Sequence, residues 1–121
     1  MLQHVTMAVA PDGAEDAAAF YTALGFAEEP PPEALRDRSR WFRRGEQQVH
    51  LLLDDDPAPP GDGSHVAFAC EGDFDAVVER LTALGHVPEP RREHWGARRS
   101  FVRDPAGHLV ELMAAAPPPA G

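Results

Sequence analysis

The sequence predicts an α+β fold made of two copies of a strand–helix–three-strand unit, βαβββ, and three observations predict it. The first is an internal repeat. His4-Val5-Thr6-Met7-Ala8 falls over His65-Val66-Ala67-Phe68-Ala69, and Thr22-Ala23-Leu24-Gly25 over Thr82-Ala83-Leu84-Gly85. Glu29-Pro30 then falls over Glu89-Pro90, and Val49-His50-Leu51 over Val110-Glu111-Leu112, always 60 or 61 residues apart. The second is punctuation: 13 prolines and 10 glycines break the chain into short segments. The third is size and hydropathy. A chain of 121 residues that is 43% hydrophobic suits a single domain with one core. The repeat sets module 1 at about 1–56 and module 2 at about 64–116, within one domain spanning 1–121, with 117–121 a frayed tail.

Each element has a local reason. Residues 2–10 alternate and are rich in Val, Thr and Met, which predicts a strand. Ala17, Ala18, Phe20, Tyr21 and Leu24 recur at helical spacing, which predicts a helix over 14–24, and Gly25 stands at its C-cap. A short strand is expected near Phe26. Pro30-Pro31-Pro32 then opens a loop, because Pro neither continues a helix nor donates to a central ladder. Trp41-Phe42-Arg43 and Gln48 to Leu53 read as a hairpin around Gly45, and Asp54 to Gly63 as a polar linker. In the second copy His65 to Cys70 is a strand. Asp73 is the expected N-cap of a helix over 74–84 with Phe74, Val77, Val78, Leu81 and Leu84 on one face. Ser100 to Arg103 and Leu109 to Met113 form the last hairpin around Asp104-Pro105-Ala106-Gly107, whose residues suit a type I turn.

Charge and composition exclude several functions. Eleven basic against 20 acidic residues give a net charge of −9, which offers no electrostatic footprint for nucleic acid or anionic lipid. The single cysteine, Cys70, excludes an intrachain disulfide and a Cys-rich zinc site and reads as a small buried hydrophobe. No apolar run reaches the roughly 20 residues of a membrane span. The first residues lack the pattern of a signal peptide, so a cytoplasmic protein is expected.

The repeat also places four polar residues in equivalent positions. His4 matches His65 on the first strand of each unit, and His50 matches Glu111 on the last. Each interrupts an apolar strand, where a titrating group is costly unless paired or metal-bound. If the units pair about a twofold, all four converge. Three imidazoles and one carboxylate suit Zn, Ni, Co, Mn or Fe(II). His86, His94 and His108 have no such symmetry partners, and Asp54-Asp55-Asp56 lacks the ligand spacing of a calcium loop. Phe42, beside Trp41, and Trp95, Arg99 and Phe101, in and after the basic stretch Arg91 to Arg99, are expected to line a substrate cleft. The stretch suits an anionic substrate, unless its arginines pair with the surplus acids.

His4-Val5, Phe20-Tyr21 with Leu24-Gly25-Phe26, His65-Val66-Ala67-Phe68 and Asp104-Pro105-Ala106-Gly107-His108-Leu109-Val110-Glu111-Leu112 resemble the vicinal oxygen chelate superfamily, the glyoxalase, bleomycin-resistance and extradiol-dioxygenase group. The resemblance covers almost the whole chain. It implies paired βαβββ modules whose mixed sheets curl around a cleft, closed within one chain or across a homodimer. It implies metal ligands at His4, His50, His65 and Glu111, with an ion that chelates two adjacent oxygens of a small substrate. Glyoxalase I-like enzymes carry Glu or Gln where His50 stands. His4, His65 and Glu111 alone would serve the two-His, one-Glu set of the dioxygenases. His50 and Glu111 are the expected proton-transfer groups of an isomerase, lyase or dioxygenase. The alternative is a metal-independent protein that sequesters a drug or metabolite.

Overall fold

The computed structural model describes residues 1–121 and divides them into two compact units, Met1–Pro59 and Pro60–Gly121. In the first, β1 (His4–Val9) leads through a 3₁₀ turn to α1 (Ala14–Ala23), then β2 (Ala27–Glu29), β3 (Ser39–Arg44) and β4 (Gln47–Leu53). In the second, β5 (His65–Ala69) leads to α2 (Phe74–Ala83), then β6 (Glu89–Arg91), β7 (Arg99–Arg103) and β8 (Leu109–Met113). The sheets have matching orders, β1-β4-β3-β2 and β5-β8-β7-β6. In each, the first strand pairs parallel with the last and the other pairs are antiparallel.

The helices end alike. Gly25 (φ 97°) and Gly85 (φ 90°) take the left-handed conformation open to a residue without Cβ. Phe26 N–H then bonds back to Tyr21 O, and His86 N–H to Leu81 O, which satisfies carbonyls the helix leaves unpaired. Both helices start at the expected residues, Ala14 and Phe74, but one cap differs from expectation. Asp73 makes no capping hydrogen bond, and its carboxylate lies 3.9 Å from Arg80 instead. The last hairpin turns as expected: Asp104 Oδ1 accepts from the N–H groups of Ala106 and His108, and Gly107 N–H bonds to Asp104 O.

Strand alternation decides which residues can serve a site. In the first unit Met7, Val9, Phe42, Val49 and Leu51 are buried with Ala17, Phe20, Tyr21 and Leu24 of the helix segment, and Tyr21 Oη–H reaches Met7 Sδ at 2.7 Å. Phe42 is fully buried in this core. It does not line a cleft, because it lies across from Val49, whereas its neighbour Trp41 lies across from His50 on the opposite face. In the second unit Cys70, Phe74, Val77, Leu81, Val102, Val110 and Leu112 form the core.

Candidate metal centre

The four repeat-related residues form two pairs, one in each unit. Register places them equivalently: Thr6 pairs with His50 and Ala67 with Glu111, so His4 and His65 each stand two residues earlier on the same face. The third strand adds an aromatic ring to each pair, since Trp41 lies opposite His50 and Phe101 opposite Glu111. No group of three or more His, Cys, Asp or Glu side chains gathers at one point in the structure.

In the second unit His65 Nε2 stands 3.1 Å from Glu111 Oε1, and His65 Nδ1 lies 2.9 Å from the Gly63 carbonyl. A carbonyl only accepts, so Nδ1 carries a proton. A neutral His65 therefore turns the lone pair of Nε2 toward a carboxylate oxygen. Two acceptors in contact repel unless a cation, either a second ring proton or a metal ion, lies on or between them. At 3.1 Å the two atoms are close enough that both could hold one divalent ion. Glu111 is buried, and its other oxygen accepts from Arg99 Nε at 2.8 Å. Arg99 also donates to the Arg92 carbonyl and lies 5.1 Å above the Phe101 ring. Both oxygens of Glu111 are thus engaged, which suits a ligand held in one orientation.

In the first unit the rings are stacked. His50 lies between Trp41 (centroids 4.0 Å apart, planes 1° apart) and His4 (4.2 Å, 17°). An imidazole binds a metal in its own plane, along its lone pair. One ion cannot lie in two parallel planes, so in this arrangement only one of the two histidines can hold it. His4 is exposed and His50 is 8% exposed, which leaves His4 as the accessible donor. Burial, followed by the charges of His4 and Arg43, holds the His50 pKa below its usual value of 6.5, against a smaller opposing effect of Glu29.

Three further residues support the pair, and neutral amides gave no charge signal by which to find two of them. Gln48, buried two residues before His50 on β4, sits among Gln3, Glu29 and His50. Period-two spacing from His50 is the one sequence feature that points to it.

The expected substrate residues divide. Arg99 and Phe101 flank Glu111 as described. Trp95 donates from Nε1 to the Ala115 carbonyl and lies 6.0 Å from the Arg99 guanidinium, outside the Glu111 contacts. A groove of about 420 Å³ runs beside Phe101 and Leu109 and carries Arg91, Arg103, Glu89 and Asp62, two charges of each sign. The basic stretch is largely neutralised: Arg91 pairs with Glu89, Arg98 with Asp75 and Arg99 with Glu111.

Comparison with known proteins agrees with this architecture. No curated protein matches the chain in sequence. Among solved structures, a glyoxalase family protein from Bacillus anthracis is 30% identical, with 93% of each chain covered and a TM-score of 0.80. The fosfomycin resistance protein FosX from Mesorhizobium loti is 24% identical over 96% of this chain and 92% of its own, with a TM-score of 0.74. An E126Q variant of FosX from Listeria monocytogenes, solved with Mn(II) and 1S,2S-dihydroxypropylphosphonic acid, is 22% identical over 96% and 90%, also at 0.74. Residues 2–112 match the pattern of one family, and with its two repeated βαβββ units the chain belongs to the Glyoxalase/Bleomycin resistance protein/Dioxygenase superfamily.

Proposed function

We propose that the chain is a divalent-metal enzyme acting on a small substrate with two adjacent oxygens, by isomerase, lyase or dioxygenase chemistry. The observation that carries this reading is the contact of His65 Nε2 with Glu111 Oε1, two metal-capable atoms held 3.1 Å apart. His4, His65 and Glu111 would hold the ion, and His50 would join them only if its ring left the stack. When bound, the ion supplies a Lewis acid that stabilises negative charge developing on substrate oxygen. Arg99 Nε, donating to Oε2, orients Glu111. With both its oxygens engaged, Glu111 is a poorer proton carrier than His50, whose lowered basicity leaves it neutral and able to accept a proton near pH 7. Phe101 and Trp41 supply apolar walls beside the two pairs. The binding of Mn(II) by a FosX of the same fold supports a metal of this type. The reading includes a homodimer, as the family resemblance implies, and a cytoplasmic location.

A second reading is a metal-free sequestering protein, favoured by the lack of any group of three or more His, Cys, Asp or Glu side chains placed to hold an ion. Elemental mass spectrometry on untagged protein separates the two. The enzyme reading expects near-stoichiometric divalent metal that is lost in His65→Ala. No metal in either protein, even after soaking with divalent ions, leaves the sequestering reading.

A further inference from the structure

We propose that Glu29 is a positioning residue which, through Gln48 and Gln3, fixes opposite tautomers on the two histidines of the first unit, Nε2–H on His50 and Nδ1–H on His4. The chain of hydrogen bonds admits one assignment. Glu29 Oε1 lies 2.6 Å from the Gln48 amide and also accepts from Arg43 Nε at 2.9 Å. A carboxylate only accepts, so the Gln48 atom facing it is nitrogen. Gln48 Oε1 therefore faces the other way, 3.0 Å from His50 Nε2 and 3.0 Å from Gln3. It accepts from both, which puts a proton on His50 Nε2 and makes the Gln3 atom nitrogen. Gln3 Oε1 is then the atom 2.7 Å from His4 Nδ1, so that nitrogen also carries a proton. Reversing any member places two acceptors or two donors in contact.

The outcome is two lone pairs on different ring atoms, Nε2 of His4 and Nδ1 of His50. Nδ1 of His50 has no protein partner, and since no buried side-chain nitrogen or oxygen is left unsatisfied, it is open to solvent. Gln48 is 5% exposed, so water does not readily replace its hydrogen bonds. The consequence for function rests on the metal reading: His4 would ligate through Nε2, while His50 would act through Nδ1. The tautomers themselves do not depend on that reading.

The test is long-range ¹H–¹⁵N correlation of the imidazole rings in metal-free protein at about pH 8.5, some two units above the usual imidazole value. The expected spectrum shows His50 as Nε2–H and His4 as Nδ1–H. The same tautomer on both rings, or a mixture on either, would overturn the assignment. Glu29→Gln removes the group that can only accept. Both Gln48 orientations then become available, and the second tautomer of His50 should become detectably populated. His86, His94 and His108 should keep their shifts and so report an intact fold. Unchanged His50 and His4 signals in that variant would overturn the role of Glu29. If Glu29→Gln does not fold, the wild-type spectrum decides alone. Because no metal is present, a failure here is distinct from a failure of the metal reading, which elemental analysis reports separately.

Discussion

His65 Nε2 and Glu111 Oε1 face each other at 3.1 Å while the Gly63 carbonyl holds the proton of His65 on Nδ1. The equivalent residues of the first unit, His4 and His50, do not touch edge to edge but stack face to face. Sequence symmetry thus gives equal positions and unequal chemistry. One pair sets a ring nitrogen against a carboxylate oxygen, and the other is one exposed ring beside a ring clamped between aromatic faces.

Arg99 holds the buried carboxylate in place without metal. Replacing it with Met retains much of its packing on Phe101 and leaves Glu111 Oε2 without its charged donor. Metal-free Arg99→Met should lose about 1–3 kcal/mol of stability, the usual cost of an orphaned buried acceptor. Urea unfolding measures it. A loss below the error of the midpoint would mean that Glu111 finds solvent in the folded state.

The stack makes His50 a reporter of pH. Its folded pKa lies below the unfolded value of 6.5, so the unfolded chain binds more protons as pH falls. Stability from this group is full above about pH 6.5 and is lost as pH drops toward the folded value. Trp41 fluorescence should weaken over the same range as the ring beside it gains charge. His50→Gln, with chelator present, should flatten both curves. A Trp41 transition that persists in His50→Gln would assign the effect elsewhere.

Phe42 is a core residue, and its truncation should show that. Phe42→Ala should cost about 3–5 kcal/mol, and Phe42→Leu distinctly less, with metal affinity unchanged in the Leu variant. Thermal melts and a metal titration on Phe42→Leu check both halves. A large affinity change at small stability cost would return Phe42 to the binding face.

The two C-cap glycines should differ despite their similar φ. A Cβ on Gly25 would meet Arg44 Nη1 at 3.1 Å, where that guanidinium donates to the Leu24 carbonyl, whereas a Cβ on Gly85 meets nothing within 4 Å. Gly85→Ala should cost about 1–2 kcal/mol from backbone conformation alone. Gly25→Ala should cost more, as Arg44 must shift. Equal midpoints in denaturant would show that Arg44 yields freely.

Much of this was legible in the sequence because a repeat fixes register. Once Val49-His50-Leu51 lies over Val110-Glu111-Leu112, the two sheets must share an order, and His4, His50, His65 and Glu111 must occupy matching places. What the repeat does not fix is which of two adjacent residues faces which side. Trp41 and Phe42 are both large and apolar, and only pairing with His50 and Val49 separates them. Nor does composition show that Arg91, Arg98 and Arg99 already have carboxylate partners on a strand neighbour, a helix and the opposite strand. Gln3, Gln48 and Glu29 act only through the direction of their hydrogen bonds, which neither hydropathy nor charge records.

The proposed function requires His4, His65 and Glu111 to hold the same ion. Calorimetric titration of the metal-free chain with Mn(II) tests it most directly. One ion should bind per chain, with affinity falling about tenfold or more in His4→Ala and in Glu111→Gln alike. No binding by the wild-type chain, or binding that His4→Ala leaves unchanged, would contradict it.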